Sequence, residues 1–316
     1  MNEIGFPFAA EAPDLDLSVA VVGCGSIGQR HIQHLLRLGP RIVGVDLLDV
    51  RLPYSVPHFR TLHEAGKVDA VLVCTPASER IGIICQAMAM GAHLFIEKPL
   101  ATTYEEAEEI AELVAHYPDR IVMMGYNLRF DPDLQNFVAH LPALGRPMYA
   151  QIRCSSFLPD WRPGRAYSQT VSARAALGGG ILREANHELD LINWLFAPRS
   201  VAIAAFVGKT SDLDVDIEDL VSATLVTDTD LIIELHLDFC TPGYQRFIRV
   251  VGTKDEATWN LLPNSPMYQR EMEYFLDCIL AGKKPAAGIT EGLWTMRLDW
   301  AIRSAGRVFA ASREAT

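Results

Sequence analysis

The first residues in this chain able to do chemistry are Val22-Gly23-Cys24-Gly25-Ser26-Ile27-Gly28, a G-x-G-x-x-G between an apolar run and a helical one. Gly23 permits a tight turn, Gly25 lets backbone approach a pyrophosphate, and Gly28 lets helix and strand pack closely. The helix start at Ser26 and Ile27 offers free N–H groups and a positive dipole end to phosphate. Asp46 closes the next apolar run. An acid there accepts hydrogen bonds from adenosine ribose hydroxyls and repels a 2′-phosphate, which favours NAD; Arg51 close behind keeps NADP as the alternative.

Lys98 lies between Glu97 and Pro99, directly after the apolar run His93–Ile96. At the C-terminal end of a parallel strand it stands where such sheets place ligands. An ammonium there can hydrogen-bond a substrate oxygen, stabilise a developing alkoxide and, with a lowered pKa, exchange the proton. The bland alternative is a surface lysine before a proline. His187 sits in a helical stretch with Glu184 three residues before it and Asp190 three after. Carboxylates can therefore approach either side of the imidazole, fix its tautomer and raise its basicity. A core histidine satisfied by backbone is the other reading. Glu184-x-x-His187 is also half a di-iron motif, but such a bundle needs two halves and one is present, so no metal is expected. His31-x-x-His34 has ligand-like spacing without nearby partners and reads as a solvated helix face. Trp161, Arg162, Arg165 and Tyr167 lie in a loop-like stretch rich in Pro, Trp and Gly. Trp161 could stack on a sugar ring while Arg162 or Arg165 binds a carboxylate or phosphate, or the stretch is a packed loop with solvated arginines. Trp294 and Trp300 read as core.

The elements that must position these groups change character along the chain. Strand runs Leu17–Val22, Arg41–Val45, Ala70–Cys74, His93–Ile96 and Ile121–Met124 alternate with helical stretches Ser26–Leu38, Ser78–Met90 and Tyr104–His116. That alternation predicts βαβ units and a parallel sheet covered on both faces, which explains the continuous apolar runs. After about residue 126 come strand candidates Met148–Ser155, Val201–Val207, Val221–Val226, Leu231–Leu237 and Phe247–Val251, often joined by short polar turns. One helix is expected near Gly180–Leu195 and two at the end, about 266–281 and 290–311. The fold class is α/β: an N-terminal Rossmann parallel sheet, 1–126, and a C-terminal α+β domain on an open, mostly antiparallel sheet, 127–316.

Composition narrows the partners. The chain has 316 residues, 49% hydrophobic and 21% charged, with a net charge of −11. That is ample core for about two domains and too hydrophobic for general disorder. A uniformly acidic surface repels phosphate backbones, and no basic patch appears, so nucleic acid is not expected. The N-terminus lacks a basic n-region and does not read as a signal peptide. The longest charge-free run, between Arg80 and Glu97, is too short to span a membrane. Six scattered cysteines without a CxxC pair read as reduced, mostly buried thiols, consistent with the cytosol.

Taken together, the glycine turn, Thr75-Pro76, Glu97-Lys98-Pro99 and Gly178-Gly179-Gly180 ahead of His187 and Asp190 resemble the glucose–fructose oxidoreductase/inositol dehydrogenase (Gfo/Idh/MocA) family. The likeness covers nearly the whole chain after the first fifteen residues. Gly125–Phe130, Phe157–Pro163, His187–Asp190 and Trp194–Phe196 further resemble members found with surface-polysaccharide and nonulosonic-sugar pathways. The resemblance implies hydride transfer between NAD(P) and a hydroxyl or keto carbon of a sugar-like substrate, nucleotide-linked or acidic sugars included. It makes Lys98 and His187 the proton-transfer residues. Thr75, Pro76, Glu97, Lys98 and Asn127 would join the glycine turn and Asp46 at the cofactor, and Lys98, Arg129, Glu184 and His187 would reach substrate. It also implies a homodimer or homotetramer assembled through the outer face of the second sheet. Two departures stand out: Arg80 replaces a common histidine and would contact a cofactor phosphate or solvent, and Glu184-Ala-Asn-His187 differs from the commoner Asp/Glu-x-Ser-His. Two alternatives remain open: a cofactor-binding regulatory or scaffold protein without turnover, and a reductase of an imine or cyclic non-sugar substrate.

Overall fold

The computed structural model describes residues 15–306. Most of the N-terminal stretch judged not to be a signal peptide, and the final turns of the helix expected to reach 311, lie outside these residues. Six strands, β1 (Ser18–Val22), β2 (Arg41–Val45), β3 (His58–Phe59), β4 (Ala70–Val73), β5 (His93–Glu97) and β6 (Val122–Gly125), form one sheet in the order β3-β2-β1-β4-β5-β6. Every pairing in it is parallel. Strands β1 and β4 are buried at every residue, as a sheet covered on both faces requires. The covering helices are α1 (Ser26–Leu38), α2 (Leu62–Ala65), α3 (Arg80–Ala89) and α4 (Tyr104–Ala115). Gly39 ends α1 in the left-handed region at φ 95, and Thr103 caps α4 by accepting the Glu106 N–H. The strand order reverses at β1, between β2 and β4, which opens a crevice at the strands' C-terminal ends.

After α5 (Pro132–His140), a second sheet is built from β7 (Pro147–Phe157), β8 (Val201–Gly208), β9 (Leu220–Thr227), β10 (Ile232–Asp238), β11 (Cys240–Gly252) and β12 (Glu256–Asn260). Its order is β12-β11-β7-β10-β9-β8. All pairs are antiparallel except β7 with β10. Residues along β9 alternate between buried and exposed, so one face is packed and the other open. The packed face meets α6 (Ile181–Glu184), α7 (Asn186–Phe196) and α9 (Ile289–Ala305). Helix α8 (Met267–Ala281) returns to the first sheet and packs against α1, burying Met272, Phe275 and Leu276 with Ile32 and Phe95. Helix α9 likewise reaches α4. The end of the chain thus completes the cover of the sheet made at its beginning.

The architecture follows the expected fold class, with corrections in detail. The helix expected over Gly180–Leu195 is interrupted at Ala185 (φ −91, ψ 33). The strand expected at Phe247–Val251 extends back to Cys240 through a register shift. Strands β3 and β12 and helices α2 and α5 were not anticipated; most are too short to show a period. Trp300 is 52% exposed rather than core, while Trp294 packs at the core's edge. Cys24, Cys74, Cys154 and Cys278 are buried free thiols and Cys85 is exposed. Among the described residues no helix is long and apolar enough to cross a membrane.

Candidate functional site

The glycine turn sits in the crevice beside β1. Gly23 has φ +90, and a Cβ there would lie 2.7 Å from the Thr75 backbone nitrogen; one on Gly28 would lie 2.0 Å from the Gly23 carbonyl oxygen. Both are glycines because the fold leaves no room. Gly25 differs: a Cβ would meet nothing within 4 Å, so its backbone borders open space. No side chain caps α1, and the N–H groups of its first turn, from Ser26 and Ile27, remain available to an anion. Asp46 accepts the Cys24 N–H at 2.8 Å through Oδ2 and the Leu48 N–H at 2.9 Å through Oδ1, which holds its carboxylate at the end of β2. Thr75 Oγ1, next to Pro76 after β4, and Asn127 Oδ1, after β6, are buried without a hydrogen-bond partner among the described residues. Orphaned polar atoms after β4 and β6, an uncapped helix and an acid at the second strand fit a dinucleotide.

Lys98 follows β5. Its Nζ donates to the Glu184 carbonyl oxygen at 3.0 Å and lies 3.4 Å from Glu184 Oε2, so the lysine ties the first sheet to the segment carrying His187. Ser172 Oγ donates to the other Glu184 oxygen at 2.5 Å. Glu97 turns inward from the crevice: its Oε1 lies 2.6 Å from His31 Nε2 and its Oε2 accepts the Lys98 N–H at 3.2 Å. Burial raises its pKa, but the His31 hydrogen bond and the charges of Lys98 and Arg80 outweigh that and hold it below its ordinary range. His31 is therefore no solvated helix residue; it is fully buried because α8 covers that face of α1. Arg80 is corrected too. It meets neither solvent nor an open phosphate site, but donates to the carbonyl oxygens of Thr75, Glu97, Lys98 and Pro99. It clamps the ends of β4 and β5 together, and burial lowers its pKa to about 10, which leaves it charged.

The expectation of carboxylates on both sides of His187 is not met. The break at Ala185 takes Glu184 off the α7 face. Asp190 is engaged by Arg129, which donates from Nε at 2.8 Å and Nη2 at 2.6 Å. His187 Nδ1 is buried without a partner among the described residues, so a core histidine satisfied by backbone is not found either. Its ring stands edge-on to Tyr126 at 6.2 Å. Burial, then the charges of Lys98 and Arg246, hold the imidazole well below its ordinary pKa, so it is neutral. Its basicity is lowered, not raised.

Arg129 is 6% exposed, donates also to the Ala286 carbonyl oxygen, and lies against Tyr126 and Trp194. Three of its five N–H donors are thus used on protein, which anchors it to α7 and to the segment before α9. Tyr167 turns away, its hydroxyl accepting the Asp214 N–H at 3.0 Å. Trp161 is 40% exposed, with its edge against Phe239 and Nε1 donating to Ser156 Oγ. Arg162 and Arg165 are exposed beside it. Sequence reading missed two supports. Arg246 and Glu188 form a buried ion pair at 2.7 Å, hidden because β11 begins earlier than its apolar run. The Tyr126 hydroxyl meets Thr295 Oγ1 at 2.7 Å and Asn186 Oδ1 at 3.2 Å, a contact among three distant segments that no local spacing signals.

Comparison with known proteins agrees with this fold. Residues 17–126 match the model described as "Oxidoreductase family, NAD-binding Rossmann fold", and residues 142–258 match the GFO/IDH/MocA C-terminal domain. An inositol 2-dehydrogenase of Acidothermus cellulolyticus is 27% identical over 276 residues, covering 82% of this chain and 76% of its own. The scyllo-inositol dehydrogenase of Lactobacillus casei, solved with NAD(H) and scyllo-inositol, superposes with a TM-score of 0.81 at 16% identity, covering 92% of this chain and 97% of its own. A UDP-N-acetylglucosamine 3-dehydrogenase of Acidithiobacillus ferrooxidans superposes with a TM-score of 0.77 at 19% identity, covering 92% and 98%. The chain belongs to the Gfo/Idh/MocA family of oxidoreductases, with an NAD-binding Rossmann fold at its N-terminal end.

Proposed function

We propose that the protein is an NAD-dependent dehydrogenase of a ring CH–OH group in a cyclic polyol or sugar. The observation that carries this reading is Lys98, fixed at the C-terminal end of β5 in the sheet that carries the glycine turn, and bonded to Glu184, three residues before a neutral His187. NAD, when bound, supplies the hydride acceptor. Lys98 would donate a hydrogen bond to the reacting oxygen and stabilise its alkoxide character. The neutral His187 would take the hydroxyl proton. An imidazolium flanked by Lys98 and Arg246 is a poor proton holder, so it passes the proton on, and in the reverse direction it is a strong acid. The inositol and UDP-sugar dehydrogenases above support a cyclic, hydroxyl-rich substrate. A nucleotide-linked or acidic sugar is the second reading, favoured by exposed Trp161, Arg162 and Arg165 on one loop.

In this reading residues 1–126 bind the cofactor and 127–316 hold substrate and assemble the protein, as a cytoplasmic homodimer or homotetramer. Purified protein should be screened by nicotinamide absorbance, with NAD and NADP, against inositols, sugars, sugar acids and nucleotide sugars. NAD reduction with one class is expected. Lys98→Met should lower kcat by ~100-fold or more while NAD affinity holds. A Lys98→Met enzyme with wild-type kcat removes the assigned role, and bound NAD without turnover on any substrate points to the scaffold alternative.

A further inference from the structure

Behind Lys98, where α1 meets α8, lies an acid that the chemistry above does not use. Glu271 is fully buried, and neither carboxyl oxygen has a hydrogen-bond partner among the described residues. It sits on the α8 side that faces α1: Tyr268, one turn earlier, stands edge-on to the His31 ring at 6.1 Å. His31 Nδ1 is likewise buried and unpartnered. Three orphaned polar atoms thus lie on two helices that pack together, with no direct bond between them.

Their chemistry is complementary. An ionised carboxylate buried without a donor is costly, so Glu271 is expected to keep its proton. The groups around it agree. The α1 cation Arg30 lies over the Tyr268 ring instead, Arg129 from the turn packed against α8 is held by Asp190, and Cys74 and Tyr268 are neutral neighbours. Burial, and after it the charge of Glu97, push the Glu271 carboxyl well above its ordinary range. A protonated acid has one O–H to give. With an Nε2 hydrogen donated to the Glu97 carboxylate, the Nε2–H tautomer of His31 leaves Nδ1 as a lone-pair acceptor.

We propose that Glu271 is a positioning residue whose neutral carboxyl donates to His31 Nδ1 through one enclosed water and fixes the His31–Glu97–Lys98 line from behind. The line runs from Glu271 O–H through the water to Nδ1, from Nε2–H to Glu97, and from the Lys98 backbone N–H to Glu97. Its bearing on turnover rests on the proposed role of Lys98; the hydrogen-bond pattern does not.

The test is nitrogen NMR of the His31 side chain in the full-length protein, with kinetics of Glu271 variants. His31 should show Nε2 protonated and Nδ1 as a hydrogen-bonded acceptor, a reading that needs no substrate. Glu271→Leu, checked for an unchanged Tm, should move Nδ1 to its free lone-pair position and lower kcat roughly tenfold with KM for NAD held. Glu271→Gln, whose amide can donate, should restore both. A wild-type Nδ1–H tautomer, an unmoved signal in Glu271→Leu, or wild-type kcat in that variant overturns the proposal. Should Lys98→Met retain turnover while the His31 signals behave as expected, the failure belongs to the lysine's role and not to this hydrogen bond.

Discussion

Burial, together with Lys98 and Arg246, keeps the His187 imidazole neutral to well below its ordinary pKa of 6.5, and this ties fold stability to pH. Once unfolded, the same histidine takes up a proton as pH falls below 6.5, which the folded protein refuses. Its contribution to stability is therefore complete above 6.5 and is lost progressively as pH falls toward the depressed folded value. Half-buried His34, lowered to about 4 chiefly by burial, acts in the same direction over the same window. The wild-type Tm should fall as pH drops from 6.5 to about 4, beyond what carboxylate titration alone gives. In His187→Gln the drop should be smaller, because one of the protons taken up on unfolding is gone. Thermal melts across that range check it; parallel wild-type and variant curves would show that His187 is not a source of the dependence.

Buried contacts between elements separate the parts of this protein that are legible from its sequence from those that are not. The glycine turn, Asp46 and the Glu97-Lys98-Pro99 corner are local: strand, turn and helix follow one another, and neighbouring residues dictate the geometry. Arg129 is not local. It is held by Asp190 of α7 and the Ala286 carbonyl oxygen, contacts that appear only when three segments meet. His31 reads as solvated on a helix considered alone and is buried because α8, more than 200 residues later, lies on it. Glu184 and Asp190 flank His187 in spacing, yet the break at Ala185 and the pull of Arg129 take both away. The Arg129–Asp190 pair is 6% and 2% exposed, so removing one partner leaves a buried unpaired charge, at a cost of about 3–5 kcal/mol. Arg129→Ala should therefore show a large loss in Tm. Arg129→Lys, keeping charge but losing the two-pronged bond, should show a smaller one, with the KM for substrate near wild type. A large rise in KM without loss of Tm would return Arg129 to substrate contact.

On the scale of the molecule, the open face of the second sheet is where the acidic chain can meet a copy of itself. Val226 and Ile232 pair across β9 and β10, Ile232 adjoins Tyr149 of β7, and Tyr149 adjoins Val251 of β11. This row runs across four strands, and Val226 and Ile232 are 39% and 42% exposed. The neighbouring row is polar: Gln151 donates to Glu234 at 3.1 Å, and Arg249 pairs with Glu256 at 2.5 Å. An apolar stripe bordered by paired charges suits a two-fold contact, in which the same patch serves both partners. It also answers a chain of net charge −11, because the long-range repulsion between two such copies is screened over about 10 Å in ordinary salt. Sedimentation of the wild type should give a mass of at least two 35.0 kDa chains. Ile232→Lys places two like charges across the axis and should shift the protein to a monomer, leaving NAD affinity unchanged because β10 lies outside the crevice. A wild type that sediments as a monomer, or an Ile232→Lys variant that stays assembled, moves the interface off this face.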